Sequence, residues 1–453
     1  MSNQARAQRD RGRALAGLAL VIVALAGAPA RPAHAQDAAA PARGDLSVEQ
    51  AVRLSLERNK DLLSSAENVE AASGFKKQAL QLYLPRLSAG ASYSHNFNST
   101  GFFDPSTQQF VAFGNDNYGV RYVLSQNIID IASLKTINAA GDDLAASKLG
   151  HQFARADLVL LTRQQYYGLL AAQELATVSD SALALSNSEL RRTQSLFELG
   201  MVAKSDVLKA QVRVSQSQLD VIRDHGNIVD AQARLANTLG QQPTDDLRAS
   251  DPLTETAVNV DSTAIIADAI AHRTDLQAAK KSWDAARARS GAAKSWFLPT
   301  VGGQVAYSNG NTGGIQPFSG FTEGSRSAVV GLNFPLLDGV IGNRGEAQAA
   351  EARAEQARYA YERLRLDIGV ELRGAINTAR QANEGLEVAK SGLESAEEDL
   401  KLSQEKYNVG SGTILDLLDA QVNLQRSRQQ YVVALTAARI AEAQIERARG
   451  VIP

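Results

Sequence analysis

The chain has 453 residues, and its 47 basic residues nearly balance its 49 acidic residues. Such a balance is not typical of a protein that binds a polyanion, so nucleic acid is not an expected partner. Cysteine is absent, which excludes disulfide bonds, thiolate metal sites, a cysteine nucleophile and a lipid anchor on cysteine.

The N-terminal segment has the pattern of a secretory signal. Four arginines precede an apolar run over residues 14–28, and Ala33-His34-Ala35 offers a small-residue cleavage site. We predict a signal peptide at 1–35 and a linker at 36–45. The apolar run is short for a bilayer span, and no long apolar stretch follows it. If the mature chain enters a membrane, strands rather than ordinary transmembrane helices must carry it there.

The remainder of the chain contains one pattern twice. Residues 84–94 (LPRLSAGASYS) align without a gap to residues 298–308 (LPTVGGQVAYS). Matches occur in the same order along both halves, which is the mark of an internal repeat. We predict a first repeat at 46–242, an inter-repeat loop at 243–257 and a second repeat at 258–450.

Each half begins with a predicted helix that ends before a proline. Helical periodicity extends over 46–84 and 260–298, and Pro85 and Pro299 follow these segments. The residue before a proline disfavours the helical conformation, so both helices are expected to stop there.

Alternation of apolar and polar residues then predicts strands in each half. Leu87, Ala89 and Ala91 alternate with serine and glycine, and the same form recurs in the other segments. The predicted strands lie at about 87–98, 118–130, 300–309 and 327–337. Segments rich in glycine, asparagine and serine, 99–117 and 309–326, are predicted to be exposed hairpin loops.

A very long helix follows each predicted hairpin. Residues 131–198 and 339–408 are almost free of proline and rich in Ala, Glu, Arg, Gln and Leu. At ~1.5 Å per residue such helices reach on the order of 100 Å. This length suits a tube or a coiled coil better than a compact globule.

The strands allow two interpretations. They could form a small water-soluble sheet packed on the helices, or they could lie in lipid. Two windows, 82–131 and 296–338, hold 15 of the 25 aromatic residues, and transmembrane barrels concentrate aromatics at the membrane interfaces. Four strands cannot close a barrel, so the lipid interpretation requires at least two chains, and three chains would supply twelve strands.

A further match between the halves lies where the long helix of each half gives way to its last helix. FELGMVAKSDVLKAQ, with Gly200 and Asp206, repeats the frame of YNVGSGTILDLLDAQ, with Gly410 and Asp416. Together with the duplicated plan and the Leu-Pro junctions, these motifs resemble the TolC family of outer-membrane efflux proteins. The resemblance covers nearly the whole mature chain.

The resemblance implies a mainly α fold with a transmembrane β-barrel contribution. Three chains would form a homotrimer with a twelve-stranded barrel in the bacterial outer membrane and a helical tunnel in the periplasm. It also implies contact with outer-membrane lipid, a periplasmic adaptor (membrane fusion) protein and an inner-membrane pump. The duct would passively conduct small molecules or proteins to the exterior.

The same resemblance implies roles for residues at the two turns between helices. Gly200 and Gly410 fit as turn residues, because glycine accepts positive φ where a helix stops. Residues around them are implied to contact the adaptor: Leu199, Gly200, Met201, Val202, Val409, Gly410 and Ser411.

A periplasmic gate is implied beside these turns. Asp416 and Asp419 lie three residues apart on one helix face, and threefold symmetry would gather six carboxylates into a ring that favours cations and raises carboxylate pKa values. A local explanation also exists for Asp416, since Thr413 could cap the helix N-terminus with Asp416 three residues on. The implied gate residues are Asp416, Asp419, Ser205, Asp206, Lys204, Lys209 and Tyr407.

One position departs from the family pattern. Some members carry an arginine between the glycine and the first aspartate, where this chain has Gly412. Basic residues lie instead in the first-half turn. We predict that Lys204 or Lys209 pairs with Asp416 or Asp419 in a closed mouth.

Other functional classes have weaker support. The four histidines of the mature chain are scattered, and no metalloprotease, serine-hydrolase, phosphate-loop or dinucleotide motif is present. We therefore expect no enzyme activity, cofactor or metal. A periplasmic coiled-coil adaptor or scaffold is an alternative, although such a protein would place its helical hairpin within one β-rich body.

Overall fold

The computed structural model describes residues 44–95, 97, 101–112, 116–243, 246–255, 269, 271–312, 324–335 and 339–450. The predicted signal peptide lies outside these residues, as does the linker as far as residue 43. Within them, none of the helices combines the length and apolar character needed to cross a membrane.

The first half contains a helical N-terminal region, a strand pair and two long helices. The order of elements is β1 (Gly44–Leu46), α1 (Val48–Arg58), α2 (Lys60–Leu80), β2 (Arg86–His95), β3 (Gly101–Asp104), β4 (Gln109–Ala112), β5 (Asp116–Ile129), α3 (Ile131–Glu198) and α4 (Lys204–Thr238). The long helix α3 has 68 residues and packs against α4.

The second half repeats this plan. After β6 (Leu247–Ala249) come α5 (Thr274–Ala293), β7 (Thr300–Thr312), β8 (Ser325–Asn333), α6 (Val340–Asn408) and α7 (Ile414–Arg449). The helix α6 has 69 residues. The predicted duplicated order of helix, hairpin, long helix and helix is confirmed.

The two hairpins join into one antiparallel sheet with the order β2-β5-β7-β8. Strands β5 and β7 connect the halves and place Tyr122 opposite Tyr307, with ring centroids 6.3 Å apart. Every residue of β2 and of β8 is exposed in the single chain. A water-soluble sheet would cover one face with helices, so the soluble interpretation of the strands is wrong.

The helix predicted over 46–84 is interrupted at Asn59. Its backbone is extended, at φ −61° and ψ 127°, and its side-chain oxygen accepts hydrogen bonds from the amides of Asp61 and Leu62 at 3.0 and 3.1 Å. The side-chain amide donates to the Thr238 carbonyl at 3.0 Å. Asn59 thus caps the start of α2 and satisfies a carbonyl at the end of α4. These hydrogen bonds stabilise the break more than the backbone hydrogen bonds of a continuous helix would stabilise an unbroken segment.

All three segments predicted as loops contain strand residues. The segment 309–326 includes the end of β7 and the start of β8, and its residues 313–323 lie outside the described part of the chain. The inter-repeat segment 243–257 includes β6, which pairs in parallel with β1. The segment 99–117 includes the separate hairpin of β3 and β4 and the first residues of β5. Of the second helix predicted over 260–298, residues 260–268 and 270 lie outside the described part of the chain, and α5 ends six residues before Pro299.

Tyr166 on α3 connects the end of β1 to the inter-repeat segment. Its hydroxyl accepts from the amides of Ser250 and Asp251 at 3.2 and 3.1 Å. The same oxygen lies 2.9 Å from the Leu46 carbonyl oxygen and 2.8 Å from the Asp251 carboxylate. Tyr166 is completely buried, and burial raises its pKa to about 12. The neutral phenol therefore persists at any physiological pH.

Candidate functional site

The α3–α4 and α6–α7 connections form two tips built in the same way. Gly200 has φ +72° and Gly410 has φ +77°. In each tip the glycine amide bonds the carbonyl three residues back, and the next amide bonds the carbonyl five residues back. This is a Schellman motif, which satisfies helix-end carbonyls and requires the left-handed conformation that glycine accepts. The predicted turn role of both glycines is confirmed.

Apolar side chains surround both glycines and point into solvent. Leu199 is 73 % exposed, Met201 70 % and Val409 79 %. Ser411 is exposed and Val202 is half-buried. Three of the predicted adaptor-contact residues, Leu199, Met201 and Val409, therefore expose apolar side chains at the ends of the long helices.

The start of α7 carries a capping box. The Thr413 hydroxyl lies 3.2 Å from the Asp416 amide, and the Asp416 carboxylate accepts from the Thr413 amide at 3.0 Å and from its hydroxyl at 2.7 Å. These hydrogen bonds, with the hydroxyl the largest contributor, lower the pKa of Asp416. The local explanation of Asp416 is therefore confirmed. In the single chain the pKa of Asp416 is shifted in the direction opposite to the rise predicted for a carboxylate ring.

Asp419 lies one turn beyond Asp416 on the same exposed face. Leu417 and Leu418 between them are buried and pack with Leu400 and Tyr407. The apolar residues thus fix the helix against α6 and leave both carboxylates facing solvent. Capping accounts for Asp416 but gives Asp419 no role.

In the single chain the first tip forms its own ion pair. Lys209 Nζ lies 3.3 Å from Asp206 Oδ1, one turn away on α4, and the Ser205 hydroxyl lies 3.5 Å from the same oxygen. Lys209 therefore pairs with Asp206 and not with the aspartates of α7, because a partner on the same helix needs no movement of the tips. Pairing of Lys204 or Lys209 with those aspartates in an assembled mouth stays a prediction.

Gly412 is pressed against the end of α6. Its amide donates to the Lys406 carbonyl at 3.1 Å. A Cβ atom at this position would lie 3.1 Å from Lys406 Cβ and 3.2 Å from the Tyr407 amide nitrogen. An arginine here would require the turn to shift by a few tenths of an ångström, so the glycine allows a tighter second tip.

Three residues that the sequence did not reveal surround Tyr407. The Arg192 guanidinium lies 5.3 Å from the centre of the Tyr407 ring and donates to Asn408. Glu189 and Thr193, both buried, lie close enough to affect the pKa of Tyr407. Their spacing of four on α3 shows that they share a face, but no sequence pattern reveals what covers it.

A second polar bridge joins α4 to α7 farther from the tips. Arg213 donates to the side-chain oxygen of Gln425 at 2.5 Å, and the Gln425 amide group donates to Asp220 at 3.2 Å. Asp220 and Gln425 are buried. The two helix pairs are therefore tied together by hydrogen bonds as well as by apolar contacts.

Comparison with known proteins identifies the family. The family model described as "Outer membrane efflux protein" matches residues 51–241 and 265–451. The chain belongs to this family. It is 23 % identical to TolC of Escherichia coli over 416 residues, covering 90 % of this chain and 82 % of the relative. It is 25 % identical to TolC of Vibrio cholerae over 407 residues, covering 85 % and 88 %.

A solved structure has the same fold. The outer membrane protein VceC of Vibrio cholerae matches with a TM-score of 0.78 at 19 % identity, covering 89 % of this chain and 96 % of that one. The predicted TolC-family membership is confirmed. This outer membrane efflux protein is an exit duct that lies in the outer membrane and extends into the periplasm.

Replacing Thr413 with alanine in this efflux protein is expected to raise the pKa of Asp416 toward its ordinary value. A lowered carboxyl pKa stabilises the fold above the ordinary value, and this contribution is lost as the pH falls through the lowered value. The melting temperature of Thr413→Ala should therefore be reduced at neutral pH, with a difference from wild type that shrinks in acid. Thr177→Ala, at an exposed mid-helix threonine, is the control. A difference independent of pH would contradict the capping argument.

Proposed function

We propose that three copies of the chain form one continuous duct, with a twelve-stranded barrel in the outer membrane and a tunnel of long helices in the periplasm. The observation that carries this proposal is a four-stranded sheet whose two outer strands, β2 and β8, are exposed along their whole length, next to helices of 68 and 69 residues. The edge strands β2 and β8 present backbone donors and acceptors that lipid cannot satisfy. Pairing β8 of one copy with β2 of the next satisfies them and closes the barrel.

The duct conducts passively and receives its cargo from an inner-membrane pump through a periplasmic adaptor. The apolar side chains of Leu199, Met201 and Val409 support the adaptor contact, because they are exposed at the ends of the helices, where a partner can cover them. Gly200 and Gly410 form the turns at these helix ends, and Val202 and Ser411 belong to the same proposed adaptor-contact surface. No enzymatic step is part of this proposal.

Asp416 and Asp419 form the selectivity ring of the periplasmic mouth. Both carboxylates face solvent on one side of α7, so a threefold axis beside that face gathers six of them. Capping by Thr413 lowers the pKa of Asp416 and so opposes the rise that neighbouring carboxylates would cause, which supports a ring that stays ionised and attracts cations at neutral pH. Ser205, Asp206, Lys204, Lys209 and Tyr407 form the adjoining wall, and the lysines supply the countercharge when the mouth closes.

The ring predicts a change of ion selectivity. In planar bilayers, Asp416→Asn combined with Asp419→Asn should lower the cation-to-anion permeability ratio several-fold, because the variant removes six negative charges from one constriction. Asp367→Asn, which removes an exposed charge from the middle of α6, is the control. Unchanged selectivity in the double variant would contradict the ring.

Cell fractionation tests the duct itself. The protein should be found in outer-membrane fractions, migrate as a heat-modifiable trimer on gels and form conducting pores after purification. A soluble periplasmic pool without pores would instead support the coiled-coil adaptor or scaffold.

A further inference from the structure

One face of the four-stranded sheet carries an arginine in a row of small residues. The strand register places Arg121 of β5 between Gly90 of β2 and Ser308 of β7, and Ser308 pairs in turn with Ser325 of β8. Directly paired residues point to the same face of an antiparallel sheet. The neighbours of Arg121 on this face are therefore glycine and serine, which leave space around its guanidinium.

A second arginine lies on the same face, at the end of the sheet next to the helices. Arg86 is the first residue of β2 and pairs with Ser125, which follows Arg121 by four positions on β5. Because successive side chains alternate between faces, Ser125 and Arg121 share a face, and at ~3.4 Å per residue the two arginine rows are about 14 Å apart. Both arginines are exposed.

No carboxylate on this face balances the two arginines. Along β2, β5, β7 and β8, all of whose residues the structure describes, the only acidic residue is Asp116. It pairs with His95 and lies an odd number of positions from Arg121, so it points to the opposite face. Within the described part of the chain, neither Arg86 nor Arg121 has an ion-pair partner. The face that carries them is therefore purely basic.

Side-chain exposure indicates which way the sheet curves. On β7, Val305 is 55 % exposed, whereas the next residue, Ala306, is 8 % exposed. Ala306 pairs with Val123, two positions from Arg121, so it lies on the arginine face. Neighbouring side chains cover a residue on the concave side of a sheet, which makes the arginine face the concave one. In the proposed barrel this face lines the lumen, and the apolar face with Val305 meets lipid.

We propose that Arg86 and Arg121 form an anion-binding site in the lumen of the barrel, which takes the phosphate or carboxylate groups of departing cargo. This inference rests on the proposed function, because only a closed barrel has a lumen. A guanidinium binds both oxyanions through paired N–H donors, and rings of arginine favour anions in pores. Three chains supply six arginines at the exit, opposite in charge to the carboxylates of Asp416 and Asp419 at the mouth.

Block by pyrophosphate tests the site in planar bilayers. The long helices carry many charged residues and stay on the side to which the protein is added, so pyrophosphate is added to the other side, where the barrel opens. It should reduce the current through wild-type pores. Arg121→Gln should raise the half-blocking concentration about tenfold, the effect of losing one charge-assisted contact. Arg86→Gln combined with Arg121→Gln should abolish the block.

Two further variants assign the effect to the lumen face. Arg326 of β8 follows Ser325 and therefore points to the opposite face of the same sheet. Arg326→Gln should keep the wild-type block, and an effect equal to that of Arg121→Gln would overturn the site. Arg121→Lys keeps the charge without the paired donors, so its half-blocking concentration should lie between those of wild type and Arg121→Gln.

Ion selectivity separates this site from the acidic ring and from the duct. Arg121→Gln should increase the cation-to-anion permeability ratio, a change opposite in sign to that expected of Asp416→Asn with Asp419→Asn. Wild-type pores that pyrophosphate blocks no better than pores of the double arginine variant would overturn the site and leave the duct intact. Absence of pores in the wild-type protein would overturn the duct, and the site with it.

Discussion

Gly240→Ala is expected to destabilise the fold by about 3 kcal/mol or more. Gly240 has φ +73°, and a Cβ atom there would lie 2.4 Å from the Arg58 carbonyl oxygen and 2.8 Å from its carbon. The left-handed conformation alone costs a side chain about 1 kcal/mol. The remainder arises because the contact is with backbone, so the end of α1 must move away from the end of α4.

Gly200→Ala provides the matched control. Gly200 has nearly the same φ, +72°, but a Cβ atom there meets nothing within 4 Å. Only the conformational cost of about 1 kcal/mol is expected. Denaturation midpoints of the two variants in detergent test the comparison. Equal losses of stability would show that the close approach of α1 and α4 does not matter.

Arg273→Met is expected to cost about 3 kcal/mol, because it leaves the largely buried Asp275 carboxylate without its partner, whereas Glu371 keeps its pair with Arg447. The Arg273 side chain is 4 % exposed and lies 2.6 Å from Asp275 and 2.9 Å from Glu371. Its two contacts with Asp275 form a bidentate pair, which is the stronger geometry for an arginine and a carboxylate. The thermal midpoint of unfolding measures the loss.

Arg363→Met is the control for this second prediction. Its pair with Asp367 spans one turn of α6 at 3.6 Å, with both side chains largely exposed. Surface pairs of this kind contribute little, so no measurable change of stability is expected. If both variants lose the same stability, burial of the Arg273 pairs is not what makes them important.

Local periodicity explains why most of the fold could be predicted. Apolar and polar residues alternate along the strands, because successive side chains point to opposite faces of a sheet. The long helices α3 and α6 lack the prolines that end helices. The break at Asn59 could not be predicted, because it depends on a hydrogen bond to Thr238, 179 residues away. The pairing of β1 with β6 likewise joins residues that lie far apart in the sequence, such as Gly44 and Leu247.

At the tips, too, features set by local sequence could be predicted and contacts between separate elements could not. Gly200 and Gly410 could be predicted because their motif is local and repeated. The partner of Lys209 could not, because several acidic residues lie within reach of a lysine and only geometry selects Asp206. The influence of Glu189 on the pKa of Tyr407, on another helix, could not be predicted either. The sequence therefore predicted which residues lie at the two tips but not how their side chains pair.

The pairing of β1 with β6 also has a consequence for the order in which the chain folds. Bacterial secretion delivers a chain from its N-terminus, so β1 waits for about 200 residues before its partner strand arrives. When Ser250 and Asp251 reach Tyr166, the first half is tied end to end while most of the second half is still to come. The first half is thus expected to serve as the template on which the second half folds.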